Sequence, residues 1–233
     1  HTHSRSSALT PSLGNIMTRF YCVADLHGHS ERLRMVEAVL NNDQPDAFLL
    51  AGDVLGFRFV ARRLAYFSSL GLPVFCVLGN TDHPWAERHL PAGSQIRILR
   101  DERIRFRDVD IVGISGTIPL PFHSRIGIRE TGRVQRLMGQ IDCHTMLVCH
   151  PPPYGACDKV MGRFSAGSKA VARIVRQCRP AVVVCGHIHE GAGRARMGTT
   201  EVVNCAIGSA VQGWRIDAAP NQPIRIIPAA LES

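Results

Sequence analysis

Apolar residues along the chain gather into short continuous runs, each followed by glycine, asparagine, aspartate or histidine. The runs cover residues 20–24, 47–51, 74–78, 110–114, 145–149 and 181–185. Runs of this length, rich in valine, leucine and isoleucine, fit strands buried on both faces. Between several of them the spacing is helical. Residues 31–40 put Leu33, Val36 and Leu40 on one side, with Ser30 in position to cap the N-terminus. Residues 62–70 and 168–178 read the same way, the latter again opening on serine. The order is β-α-β-α-β early and β-α-β late, which predicts layered α/β architecture.

The last part of the chain changes character. Residues 193–197, 201–205, 213–216 and 223–227 are closely spaced strand candidates without helices between them. They predict a meander of antiparallel strands closing a second sheet. No repeat, low-complexity tract or linker follows residue 17, so one domain is expected over 17–233. Residues 1–16 are polar and lack the apolar stretch of a secretory signal. They read as a leader or cloning remnant, expected to be disordered.

Composition narrows the class. A chain of 233 residues, 45% hydrophobic and 20% charged, is ordinary for a soluble globular protein with a well-buried core. No apolar run reaches the roughly 18 residues that cross a bilayer, so no membrane partner is expected. The formal charge is +8, nearly all of the basic side being arginine, with Lys159 and Lys169 the only lysines. Such a field would draw anionic substrates, phosphate esters or nucleic acids among them. The basic residues are scattered, however, and solvated surface charge is the simpler reading. Of eight cysteines, Cys22, Cys76, Cys149, Cys185 and Cys205 lie in or beside the apolar runs, and none form a CxxC pair. They read as reduced core residues, which suits a cytoplasmic location.

The polar residues that end the runs are chemically selective. After the first comes Asp25-Leu26-His27-Gly28-His29, after the second Gly52-Asp53, and after the third Gly79-Asn80-Thr81-Asp82-His83. Later runs end in His150-Pro151-Pro152 and Gly186-His187-Ile188-His189-Glu190. In layered α/β folds such strand ends converge on one edge of the sheet, where ligand sites form. Oxygen ligands mixed with imidazoles suit borderline divalent ions such as manganese, iron, zinc, cobalt or nickel rather than calcium. Asp25, His27, Asp53, Asn80, His150, His187 and His189 are seven candidate ligands, against about three for one catalytic zinc. The surplus predicts two metals, with one carboxylate bridging them. His187 and His189, two apart, are expected to share one face of an extended segment.

The ordered series D-x-H, G-D, G-N-x-D, H-P-P and G-H-x-H resembles the calcineurin-like metallophosphoesterase superfamily, over nearly all of residues 20–209. The tail Val203-Asn204-Cys205-Ala206-Ile207-Gly208-Ser209, with HPPPYG and CGHIHE, resembles its small phosphodiesterase-like branch of bacterial and archaeal members. The resemblance implies a four-layer α/β/β/α sandwich with two mixed β-sheets. It implies that Asp25, His27 and His189 bind one metal and Asn80, His150 and His187 the other, manganese being favoured. Asp53 would bridge them together with a hydroxide that attacks phosphorus in line.

One position departs from the family pattern. Many members carry histidine after the asparagine, able to protonate the leaving oxygen; here that residue is Thr81, and His83 follows two places later. Threonine is a poor acid near neutrality whereas histidine is suited to the task. Either His83 substitutes, or the substrate's leaving group needs little protonation, which favours phosphodiesters over monoesters. Asp82, Glu190 and Asn204 are expected to support the ligands, and His29, His123 and Arg125 are candidates for the pocket wall. Trp85 and Trp214 read as packing or rim residues. A small phosphate ester is the expected substrate. The rival readings are a nuclease and a non-catalytic metal-binding domain.

Overall fold

The computed structural model describes residues 17–116, 128–208, 212–220 and 222–229. The expected leader, His123, Arg125 and Ser209 lie outside them. Among the described residues no helix is long and apolar enough to cross a membrane.

The first five elements alternate as the apolar periodicity demands. They are β1 (Thr18–Val23), α1 (Ser30–Asp43), β2 (Ala47–Ala51), α2 (Val60–Ser69) and β3 (Val74–Val77), followed by a short strand β4 (Ile96–Ile98). These four strands run parallel to one another. Next come β5 (Glu102–Phe106), β6 (Val109–Ile114), α3 (Ile128–Met138) and β7 (Met146–Cys149). A small hairpin, β8 (Lys159–Val160) with β9 (Phe164–Ser165), leads to α4 (Lys169–Cys178) and β10 (Val182–Cys185). The chain closes with β11 (Gly193–Met197), β12 (Thr200–Asn204), β13 (Trp214–Ala218) and β14 (Arg225–Pro228).

The strands form two six-stranded mixed sheets, ordered β14-β13-β1-β2-β3-β4 and β11-β12-β10-β7-β6-β5. The tail is therefore not one meander. β11 and β12 join the second sheet, whereas β13 pairs antiparallel with β1 and carries β14 onto the first. β12 itself lies parallel to β10, with β11 antiparallel at the edge. Ile216 explains the split, because it faces Phe20 in register and is fully buried there.

Side-chain alternation assigns the layers. Phe20, Cys22 and Ala24 share one buried cluster with Val148, Val184 and Val203 of the second sheet. Their neighbours Tyr21 and Val23 face the other way, packing with Val36, Val39, Leu64 and Phe67 of α1 and α2. On the second sheet, Val112, Leu147 and Val183 pack with Leu137, Val171 and Ile174 of α3 and α4. The result is the four-layer α/β/β/α sandwich.

The helix starts differ from one another. Ser168 caps α4, its side chain accepting a hydrogen bond from Val171 N at 3.2 Å. Ser30 instead lies inside α1, and the capping position is His29, which makes no side-chain cap. The five cysteines of the apolar runs are buried as expected, and all eight are free.

Candidate metal centre

The two sheets are clipped together at their loop-bearing edge. Just beyond β1, Ala24 N donates to Cys205 O at 2.9 Å, and Ile207 N donates back to Ala24 O at 3.1 Å. This parallel bridge joins the end of β1 to the end of β12, so the loops after β1, β2 and β3 meet those after β7 and β10. Backbone bonds then thread the loops together: Asp25 N donates to Gly52 O at 3.0 Å, and His27 N to Asp53 O at 2.9 Å.

The loops deliver two groups of ligand atoms. Asp25, His27 and His189 form one, and Asp53, His150 and His187 the other; within each, one ligand atom per residue lies within 4.8 Å of the others. Asp25 Oδ1 is 3.4 Å from His189 Nε2 and 3.7 Å from His27 Nε2. His150 Nε2 is 3.4 Å from Asp53 Oδ2, 3.2 Å from His187 Nδ1 and 3.1 Å from Asn80 Oδ1. Asn80 thereby joins the second group, and it is absent from the left-handed backbone positions, so it is not an αL turn residue. The groups adjoin, because Asp25 Oδ2 accepts His187 N at 2.8 Å while Oδ1 belongs to the first group.

His187 and His189 therefore do not share a face. His187 has a φ of 70°, and a single helical turn, His189–Gly191, begins immediately afterwards. The chain reverses between the two imidazoles, which is why each serves a different group. Asp25, His27 and Asp53 also have positive φ, at 60°, 47° and 55°. Non-glycine residues adopt this region at a cost of about 1 kcal/mol or more, and such strain gathers where geometry serves function.

Glycine beside the ligands is a packing requirement. A Cβ on Gly79 would sit 2.1 Å from Asp53 Oδ1, and one on Gly186 would sit 2.5 Å from Asp25 Oδ2. The G-N and G-H pairs thus leave room for a carboxylate each.

The donor set fits cations. His150 is fully buried, and its Nδ1 lies 2.9 Å from Ala51 O, which can only accept, so the proton sits on Nδ1. The Nε2 lone pair then points toward the oxygens of Asp53 and Asn80. Asp25 Oδ1 is buried and has no hydrogen-bond partner. Acceptors converging on one another without a proton between them are what a bound cation resolves.

The electrostatics differ among the four histidines. Burial pushes His27 and His187 below the ordinary histidine value, keeping their imidazoles neutral. Burial also opposes charge on His150, but the nearby Asp53 and Asp25 carboxylates outweigh it and the net direction is upward. His189 is raised chiefly by the Asp25 carboxylate, whose Oδ1 lies 3.4 Å from its Nε2. Asp53 works against its burial: the neighbouring His150 ring, together with the Thr81 N–H at 2.8 Å, holds its carboxyl down to about 2.

The supporting residues fall into place unevenly. Asp82 is buried and accepts from Asp53 N, Val54 N, Leu55 N, Gly56 N and Gly79 N, tying the second loop to the third. Asn204 is buried, donating from Nδ2 to Ile188 O at 2.8 Å and Cys157 O at 3.2 Å, which fixes the turn between the two histidines. The Glu190 carboxylate accepts Met161 N and anchors the β8–β9 hairpin beside His189. His29 is exposed at the start of α1. His83 sits among Phe57, Trp85 and His89, and its Nδ1 accepts Trp85 N at 3.2 Å. Among the described residues no hydrogen bond or ion pair joins His83 to any of the seven candidate ligands. Trp214 is core; Trp85 is exposed. Arg32, which the sequence did not single out, donates to Asp25 O and sets a guanidinium beside the first group.

A sequence model of the calcineurin-like phosphoesterases matches residues 18–191, which span all seven candidate ligands. The chain belongs to the calcineurin-like phosphoesterase family. Membership makes it a hydrolase-type fold acting on phosphoesters, in a family whose members normally bind two divalent ions. The uncharacterized protein MJ1162 of Methanocaldococcus jannaschii is 26% identical over 194 residues, covering 78% of this chain and 85% of that protein. A dimetal phosphatase from Danio rerio superposes with a TM-score of 0.56 at 10% identity, covering 91% of this chain and 99% of the other. An archaeal phosphodiesterase gives a TM-score of 0.51 at 12% identity, with the same coverage. At these identities the solved structures establish the fold alone.

Proposed function

We propose that this phosphoesterase holds two divalent cations and hydrolyses phosphodiesters in preference to monoesters. The observation that carries the reading is the pair of adjoining ligand groups, with one oxygen of Asp25 in the first and the other fixed by the backbone of His187 in the second. Asp25, His27 and His189 would hold one cation, and Asn80, His150 and His187 the other. Asp53 would bridge them. Manganese is the favoured metal, since the mixed carboxylate, amide and imidazole set suits borderline ions. When bound, such a pair supplies a nucleophilic water at neutral pH and neutralises charge on the phosphoryl oxygens.

The chain's own groups prepare that chemistry. Ala51 O keeps His150 in the tautomer that presents Nε2. Thr81 N–H and Asp82 hold the Asp53 loop rigid. The Arg32 guanidinium adds fixed positive charge for an anionic substrate. Thr81 cannot supply a proton near neutrality, which disfavours monoesters with poor leaving groups. His83 is the candidate donor, through Nε2, since its Nδ1 accepts Trp85 N–H. The name of the archaeal phosphodiesterase supports the diester reading, and that of the dimetal phosphatase the paired cations.

The test compares bis(p-nitrophenyl) phosphate with p-nitrophenyl phosphate, alongside metal analysis. The expected result is about two metals per chain, faster diester turnover, loss on chelation and recovery with manganese. Undiminished turnover by the metal-free protein, or a clear monoester preference, overturns the reading.

A further inference from the structure

We infer that a wall of aromatic side chains on the rim of the metal centre seats a nucleoside substituent of the phosphodiester, an inference that rests on the phosphodiesterase reading above. Phe57, Phe59 and Trp85 are 62%, 71% and 58% exposed, among the most exposed large apolar side chains described. Phe57 and Trp85 are grouped rather than scattered. His83 lies between two of them, its ring centroid 6.0 Å from Phe57 and 5.7 Å from Trp85. Large exposed aromatic surface beside a polar site marks a place where something binds.

The wall is built on the same loops as the candidate ligands. Phe57 follows directly on the segment from Asp53 to Gly56 whose backbone Asp82 grips. His83 is the next residue after Asp82, and its N–H donates to Gly56 O at 3.2 Å. Asp53 and Asn80 therefore belong to the two loops from which Phe57 and Trp85 project. A diester seated at the metals has one substituent that is not expelled, and the wall on these same two loops offers an apolar surface for it.

The chemistry of the wall selects a flat, electron-rich ring. Its members are planar and stiff, and arginine is interleaved with them: Arg58 separates Phe57 from Phe59, and the Arg88 guanidinium stands 5.1 Å over the Trp85 ring. Aromatic faces alternating with guanidinium groups are the means by which proteins stack nucleobases. An acyl chain would instead call for aliphatic side chains, of which this wall has none.

The experiment uses two diesters with the same leaving group, thymidine 5′-(p-nitrophenyl phosphate) and methyl p-nitrophenyl phosphate, on the manganese-loaded full chain. Their ratio of kcat/KM isolates the retained substituent. The nucleoside ester is expected to be favoured by roughly 10- to 100-fold. Phe57→Ala and Trp85→Ala are each expected to lower that ratio about tenfold, mainly through KM, while Trp85→Phe largely preserves it. A second readout is independent of turnover: thymidine 5′-monophosphate should quench the emission of Trp85 in the metal-free protein, and Trp85→Phe should abolish the response. A ratio near one, or a ratio that neither alanine variant moves, overturns the inference. Quenching in a protein that cleaves neither ester would keep the wall and reject the phosphodiesterase reading.

Discussion

The carboxylate of Asp82 accepts the backbone N–H of Asp53 at 2.8 Å, joining two loops that α2 and β3 separate along the chain. The same carboxylate takes Val54 N, Leu55 N and Gly56 N at 3.0, 2.7 and 2.8 Å, and Gly79 N at 2.9 Å. Five donors on one buried carboxylate leave the Asp53 backbone little freedom. Removing the acceptor strands several of those donors away from water, and each stranded group costs about 1 kcal/mol or more. Asp82→Ala is therefore expected to lose roughly 3–5 kcal/mol in chemical denaturation and to bind manganese more weakly. A loss under about 1 kcal/mol would mean that other groups hold the loop.

Asp53 carries the charge that this loop presents. Replacing it with asparagine keeps the shape and hydrogen bonding of the side chain but removes the negative charge from the second ligand group. Turnover of a diester by Asp53→Asn should fall by more than about 100-fold, beyond the 10- to 100-fold typical of losing a group that only orients a ligand. Metal content should fall for both ions. Full turnover with unchanged metal content would show that Asp53 does not bridge.

Much of this centre was legible because each ligand directly follows a continuous apolar run. Burial on both faces fixes strands such as 47–51 and 182–185, and the first polar residue after each must emerge at the sheet edge. What was illegible depends on partners far away in sequence. Nothing local to 214–218 tells that strand to pair with β1 rather than continue the second sheet; Ile216 packing beside Phe20 decides it. β5 reads ERIRF, an edge strand with exposed arginines and too few apolar positions to stand out. Two histidines two residues apart imply a shared face only if the segment is extended, and the turn at His189 removes that condition. Arg32 looked like any solvated helix residue, since its bond to Asp25 O is tertiary.

Asn204 offers a test of the second sheet's contribution. It is buried, its amide donates to Ile188 O and Cys157 O, and its Oδ1 accepts Ala206 N at 3.1 Å. Asn204→Ala would leave Cys157 O and the Ala206 N–H without their partner and take one of two donors from Ile188 O, which keeps Gly191 N, a loss of about 2–3 kcal/mol. Because Ile188 separates His187 from His189, metal affinity should drop as well, by about tenfold in a calorimetric titration. Asn204→Asp keeps the acceptor but loses both donors, so it should rescue neither stability nor affinity. A variant that lost stability with metal affinity intact would confine Asn204 to packing.

Glu201 sets a stability contribution that depends on pH. Its bonds to Arg194 at 2.9 Å and Arg196 at 3.0 Å hold the carboxyl below the usual glutamate range, the Arg194 bond being the larger cause and burial opposing it. A depressed folded-state pKa means that the unfolded chain takes up the proton first as pH falls. The contribution is thus complete above the unfolded value, near about 4.3, and is lost as pH drops through the lower folded value. Partly exposed pairs of this kind are worth about 1 kcal/mol or less. Glu201→Gln should therefore be less stable than the parent protein near neutrality by up to about that amount. The gap should close in urea titrations carried below roughly pH 4. A gap that stays constant from pH 7 to pH 3 would assign the loss to packing along β12 instead of charge.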